Sequence, residues 1–214
     1  MLVGKRMTHN PITIKPDTPV AEAQAIMRRE KIHHLPVVDE RRRLVGIVTE
    51  KDLLYASPSP ATSLNVYEIS YLLAKLKVEK IMTRKVITVS EEDPLEDAAR
   101  IMADRNVGGL PVVREGLVVG IITESDLFRL FIELFAARKK GLRVTMVMPE
   151  KKGELARVAA AINNRNGNIL AFGSVPGEDP TQVLATIKVE GIAKDELAAL
   201  LKPLVLEITD VREV

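Results

Sequence analysis

Two stretches, Gly46-Ile47-Val48-Thr49-Glu50-Lys51-Asp52 and Gly120-Ile121-Ile122-Thr123-Glu124-Ser125-Asp126, decide how this chain is read. Each passes from an extended β-branched run into a helix, with Thr at the junction and Asp three residues on. That spacing makes a capping box, in which the Thr hydroxyl meets a first-turn N–H and the carboxylate reaches back to the cap. The same atoms also suit a ligand. N–H groups at a helix start attract phosphate, Thr adds a donor, and a first-turn carboxylate accepts both hydroxyls of a ribose. The two readings are compatible, and the spacing alone leaves both open.

The surrounding residues repeat as well. MTHNPITIKPDTPVAEAQAIM, starting at Met7, recurs as MTRKVITVSEEDPLEDAARIM from Met82, 75 residues later. The offset falls to 74 by Gly46 and Gly120, because DERRR shortens to REG in a hairpin. Turns accept such deletions where strands do not. Each copy opens with a short extended segment (12–14 and 86–89). A helix follows, with Val20, Ala23, Ile26 and Met27, or Leu95, Ala98, Ile101 and Met102, on its apolar face. Thr18-Pro19 and Asp93-Pro94 read as a cap residue followed by proline at the first helical position. LPVV then forms a strand, a charged turn leads to a second strand, and the Thr-x-x-Asp segment opens a second helix. A unit of roughly 50 residues buries too little surface to stand alone. The copies are therefore expected to pack as a pseudo-twofold α/β pair of βαββα units.

The expected boundaries are 1–56 for the first copy and 79–137 for the second, with 57–78 as a linker containing a Pro-rich loop and a helix over 64–76. RKKG at 138–141 reads as a hinge that ends the last helix with basic residues and Gly. From 142 to 214 the rhythm changes to strand, helix, two strands, helix, strand: a βαββαβ, ferredoxin-like α+β unit. Within it Leu184, Thr186 and Lys188 alternate with Val183, Ala185, Ile187 and Val189 on the opposite face.

Composition narrows the chemistry. Of 214 residues 46% are hydrophobic and 28% charged, enough apolar material for packed cores. Lys and Arg number 31 against 29 Asp and Glu, so nothing favours a nucleic-acid partner. Zero cysteines exclude disulfides, thiolate catalysis and Cys-ligated metal, and only His9, His33 and His34 carry imidazole. No apolar run approaches a bilayer span and MLVGKRMTHN has no leader-like core, so no membrane association and a cytoplasmic location are expected. No nucleophile–base–orienter set is apparent. His33 and His34 point to opposite sides of a strand and do not share one ligand.

The Met-Thr pairs at Met7 and Met82, Thr13-Ile14 and Thr88-Val89, Leu-Pro-Val-Val from Leu35 and Leu110, and the two Gly-x-x-Thr-x-x-Asp segments together resemble the CBS motif, in tandem as a Bateman module. The C-terminal unit resembles an ACT domain, through Gly153-Glu154-Leu155 after its first strand and Gly167-Asn168-Ile169 at its second. The whole arrangement is similar to bacterial CBS–ACT proteins grouped as acetoin-utilisation regulators. The resemblance implies a non-enzymatic regulatory sensor, a homodimer, with an adenine nucleotide (AMP, ADP or ATP) as regulatory ligand rather than cofactor. It assigns Thr13, Ile14, His34, Thr49 and Asp52 to one cleft and Thr88, Val89, Gly109, Thr123 and Asp126 to the other. Asp would hold the ribose and Thr the phosphate. His34 offers a ring donor where Gly109 offers only backbone, so the first cleft is expected to take more phosphate charge. In the ACT unit the resemblance points to Glu150, Gly153, Glu154 and Asn168 as effector residues; Lys152 stands where the family's proline is usual, which leaves pure dimerisation open as the unit's role. The alternative for the whole chain is a constitutive scaffold in which the Thr–Asp pairs are caps only.

Overall fold

The computed structural model describes residues 1–56, 65 and 75–214. The loop and helix expected over 57–76 lie almost entirely outside them. Backbone contacts divide the chain into Met1–Leu127 and Phe128–Val214.

In the first unit each copy forms the expected hairpin between two helices. The first has α1 (Val20–Glu30), β2 (His34–Val38), β3 (Leu44–Thr49) and α2 (Glu50–Ala56). The second has α3 (Leu95–Arg105), β4 (Gly109–Arg114), β5 (Leu117–Thr123) and the start of α4 (Glu124–Leu134). Leu35, Pro36, Val37 and Val38 are buried in succession, as are Leu110, Pro111 and Val112, which is why LPVV is apolar on successive residues rather than on alternate ones. The extended segments at 12–14 and 86–89 contract to single parallel bridges, Ile14 to Val37 and Val89 to Val112.

The copies exchange their openings. The short β1 (Thr8–His9) pairs with β5, Thr8 opposite Ile121 and His9 opposite Gly120. Thr83 in turn bridges Ile47, with hydrogen bonds of 2.9 and 3.0 Å. Further out, Val3 N–H donates to Asp93 O at 2.9 Å, and Val78 N–H donates to Thr18 O at 2.9 Å. The exchange explains a glycine in each strand. A Cβ on Gly46 would stand 2.5 Å from the Met82 sulfur, and one on Gly120 would overlap the Met7 sulfur. The Met of one copy thus requires the Gly of the other.

Helix starts differ from expectation. Pro19 and Pro94 occupy the caps themselves, and neither α1 nor α3 has a side-chain cap. Thr18 and Asp93 instead close the preceding turn, accepting from Lys15 N–H at 3.1 Å and from Ser90 N–H at 2.8 Å. A carboxyl or hydroxyl before Pro is already engaged one turn earlier, so it is not available to the helix.

The second unit contains β6 (Leu142–Pro149), α5 (Glu154–Asn163), β7 (Asn168–Pro176), β8 (Gln182–Glu190), α6 (Lys194–Leu201) and β9 (Glu207–Glu213). The strands form one antiparallel sheet in the order β7-β8-β6-β9. This is the expected βαββαβ, ferredoxin-like unit. Val144, Met146, Ala185, Ile187 and Val189 face Val158, Ile162, Leu197 and Leu201 in a closed core. The division at Leu127 and Phe128 precedes the hinge expected at 138–141. The cause lies in the residues just after α4, which pack on the other face of the sheet. Lys188 Nζ donates to Ala136 O at 3.0 Å, and a Cβ on Gly173 would stand 2.5 Å from the Phe135 ring. Among the described residues no helix is long and apolar enough to cross a membrane.

Candidate functional site

Both Thr–Asp boxes form, with matching geometry. At the first, Asp52 Oδ2 accepts from Thr49 N–H at 2.8 Å and from the Thr49 hydroxyl at 2.7 Å, and Asp52 N–H donates to Thr49 Oγ1 at 3.3 Å. At the second, Asp126 Oδ2 accepts from Thr123 N–H at 2.9 Å and from its hydroxyl at 2.7 Å. Each box is tied to its own copy, through Glu50 N–H to His33 O at 3.0 Å and Glu124 N–H to Gly108 O at 3.1 Å. The carboxylates are therefore fixed in place at the ends of β3 and β5. Asp126 is the one buried acidic residue among the described residues, 9% exposed. These are complete capping boxes as they stand, and a preorganised carboxylate is also what a ribose requires.

Thr13 and Thr88 are half-buried, while Ile14 and Val89 are 5% and 4% exposed and belong to the core. What Ile14 and Val89 have to offer a ligand is backbone rather than side chain. His34 opens β2 directly opposite Thr49, and Gly109 opens β4 directly opposite Thr123. The sequence reading placed these two residues in separate clefts, but the structure brings them together. A Cβ on Gly109 would lie 3.1–3.2 Å from the His34 ring atoms, and one on Gly108 would lie 3.6 Å from its Cε1. Both residues occupy the same place in their copies, so they meet where the copies adjoin. Only one ring fits there.

Electrostatics centre on that ring. Burial lowers the His34 pKa from its ordinary value and His33 adds to the lowering, whereas Glu124 and Asp52 oppose it. Glu124 was not singled out from sequence. Its carboxylate lies 3.3 Å from the Cβ position of Gly108, on the His34 side. The signal available was its counterpart Glu50, the residue after the first Thr. His33 points to the other side of the strand, exposed, with Nδ1 2.8 Å from Glu50 Oε2. Among the described residues no cluster of His, Asp or Glu is arranged to hold a metal ion.

Of the four effector candidates of the second unit, Glu150, Gly153 and Glu154 lie together after β6, and Asn168 lies apart from them within the chain. Glu150 follows the end of β6 that lies opposite Gln182, while Asn168 pairs with Glu190 at the other end of β8. Helix α5 runs the length of the strands between them, so the loops before and after it are at opposite ends of the sheet. Asn168 Nδ2 donates to Glu190 at 2.7 Å, and Glu154 pairs with Arg157 at 2.9 Å. Gly153 has φ +91°, a left-handed conformation that explains glycine at the start of α5 without a ligand.

A hairpin-and-helix unit used twice, exchanged at its openings and carrying a carboxylate at each strand end, defines a tandem repeat. The CBS domain model matches residues 3–59 and 78–133, and the chain belongs to the CBS-domain family. It is 37% identical over 135 residues to a CBS domain-containing protein of Dictyostelium discoideum, covering 63% of this chain and 93% of that one. It is 38% identical over 131 residues to the L-aspartate semialdehyde sulfurtransferase of Methanocaldococcus jannaschii, covering 61% of this chain and only 23% of the enzyme. Among solved structures, a CBS domain pair in complex with 5-methylthioadenosine and S-adenosyl-L-methionine matches with TM-score 0.52 and 36% identity, over 65% of this chain and 98% of that one. A protein assigned to acetoin utilization (AcuB) from Vibrio cholerae matches with TM-score 0.54 and 31% identity, over 64% and 95%. The CBS protein CBSX2 in complex with AMP matches with TM-score 0.52 and 31% identity, over 62% and 97%. CBS pairs of this kind are regulatory modules, and some of the relatives are enzymes that carry such a module.

Proposed function

We propose that this chain is a regulatory sensor that binds an adenine nucleotide through its CBS pair. The observation that carries the reading is the pair of preorganised carboxylates, Asp52 and Asp126, each held on one oxygen by the Thr at a strand end. Ribose hydroxyls donate to the Asp carboxylates, Thr49 and Thr123 meet phosphate, and the backbone at Ile14 and Val89 borders the base. Structures of similar CBS pairs hold AMP or adenosyl ligands, which supports the adenine class. The βαββαβ unit acts as an ACT domain, dimerising the chain. An exposed apolar stripe on α4, with Phe128, Phe131 and Leu134 at 67%, 59% and 56% exposure, supports an assembled form. Coupling runs along the chain through α4, whose first turn carries Asp126 and after which the chain rests on the sheet.

A scaffold reading has one observation in its favour: the Thr–Asp boxes satisfy each other without a ligand. Calorimetric titration of the full chain with AMP, ADP, ATP and S-adenosyl-L-methionine separates the two. Binding to the native chain that weakens in Asp52→Ala or Asp126→Ala supports the sensor. No heat at millimolar ligand leaves the scaffold.

A further inference from the structure

The outer face of the C-terminal sheet, far in sequence from either Thr–Asp box, carries a row of charges beside a cavity. Three cations stand side by side there in one register row across three strands. Lys188 of β8 is directly opposite Arg143 of β6, and Arg143 is directly opposite Arg212 of β9. Like charges in opposed positions repel, and a single carboxylate answers them. Asp210 pairs with Arg143 at 3.3 Å and with Arg212 at 2.7 Å. Lys188, the third member, is 4% exposed, and its one hydrogen bond among the described residues is to a neutral acceptor, Ala136 O. An ammonium has three donors, and a buried charge without a counter-ion is costly.

Holding a helix end does not account for this lysine. Its neighbours on that face, Leu184 and Thr186, are uncharged, and a neutral donor would serve the Ala136 carbonyl without burying a charge beside Arg143. The space around it is also not filled. Phe135, Ala137, Ala171 and Val214 form the apolar walls of a cavity of about 210 Å³, and Arg143, Thr186 and Lys188 supply its polar lining. That volume is below the roughly 300–1,000 Å³ of pockets for drug-sized ligands.

We infer that this cavity binds a short-chain monocarboxylate, with the carboxylate between Lys188 and Arg143 and the hydrocarbon against Phe135, Ala137 and Ala171. The bidentate geometry of guanidinium suits a carboxylate, and the apolar walls distinguish such a ligand from inorganic phosphate. The anion completes the charge row that Asp210 only half balances. Because the cavity wall includes residues that follow α4, the bound anion also steadies the contact of Phe135 and Ala136 with the sheet. The inference does not depend on nucleotide binding.

The test uses methyl NMR of the full chain, labelled at Ala, Thr and Val, titrated with propionate, propionamide or phosphate at constant ionic strength. Propionate is expected to shift the Ala137, Ala171, Thr186 and Val214 methyls saturably, with a Kd on the order of 1 mM for so small a ligand. Lys188→Met, which keeps the stem of the side chain and removes the ammonium, is expected to weaken this at least tenfold. Absent shifts with propionate, or equal shifts with propionamide or phosphate, would overturn the inference. The ligand comparison on the native chain stands even if Lys188→Met fails to fold. AMP titration of the same sample reads the nucleotide site separately, so failure of one proposal is distinguishable from failure of the other.

Discussion

The two copies of the CBS unit share a framework and differ where they touch. Hairpin register, the Thr–Asp boxes and the exchanged Met–Gly contacts are repeated almost atom for atom, with Thr–Asp hydroxyl distances of 2.7 Å in both. At the junction the pair is unequal: His34 supplies a ring, and Gly109 supplies room for it. Duplication alone would place two identical side chains against each other at a pseudo-twofold axis, where two rings cannot be accommodated. The framework is symmetric because packing demands it, and the junction is asymmetric for the same reason.

The largest effect on stability is expected at the framework. Gly120→Val drives a side chain into Met7, and overpacking of this kind costs about 1–3 kcal/mol. Gly46→Val against Met82 should cost a similar amount, because the contact is reciprocal. Urea melts of each variant, and of Gly120→Val combined with Met7→Ala, check this. Measured against Met7→Ala alone, the double variant is expected to show little further loss, and an undiminished loss would show that the Met–Gly contact is not what requires glycine.

The next effect separates the two boxes. Loss of a charge-assisted hydrogen bond to a ribose costs about 1.5–3 kcal/mol, which is roughly ten- to a hundredfold in affinity. Asp52→Ala and Asp126→Ala are expected to reduce AMP affinity by unequal amounts within that range, since the junction offers a ring at 34 and none at 109. Each substitution also removes a cap, worth about 1 kcal/mol of stability. Calorimetry beside thermal melts distinguishes the two losses. Equal affinity losses would show that the asymmetry at 34 and 109 does not reach the ligand.

How much of this was legible follows from what repeats. The hairpins, the α1 and α3 helices and the βαββαβ order were readable because periodicity of apolar residues reports burial, and both copies report it twice. The Thr-x-x-Asp spacing disclosed the boxes because capping geometry is local. The contact of His34 with Gly109 was not readable, since it joins positions 75 residues apart through an exchange of segments that no local pattern encodes. Likewise Asn168 and Glu150 were grouped by resemblance, although α5 carries the chain to the far end of the sheet between them. The burial of Lys188 was hidden for a similar reason: strand alternation put it on the outer face, and the residues just after α4 cover it there.

A smaller effect compares the C-termini of the first helices. Lys31 and Asn106 both end their helices in the left-handed region, at φ +54° and +51°. Asparagine tolerates that conformation better than lysine, and glycine best of all. Lys31→Gly is expected to stabilise the chain by up to about 1 kcal/mol and Asn106→Gly by a few tenths. Equal gains in chemical denaturation would mean that the neighbours, rather than the backbone, set the preference.

The smallest effect tests the junction itself. His34 has a lowered pKa, caused first by burial of the ring and then by His33, against the pull of Glu124 and Asp52. In the unfolded chain the ring titrates near 6.5, so below that pH the unfolded state takes up the proton more readily than the folded one. Stability from this residue is therefore complete above pH 6.5 and is lost as pH falls through 6.5 toward the lowered folded value, beyond which the loss stops growing. Urea melts of the native chain and of His34→Asn between pH 5 and 8 read the difference directly. The native chain should lose more stability on acidification than the variant, and the gap between them should open below pH 6.5. A bound nucleotide reverses the preference if its phosphate reaches His34, because an anion favours the protonated ring. With saturating AMP the gap should then narrow or invert, and a gap that nucleotide leaves unchanged would place the phosphate away from His34.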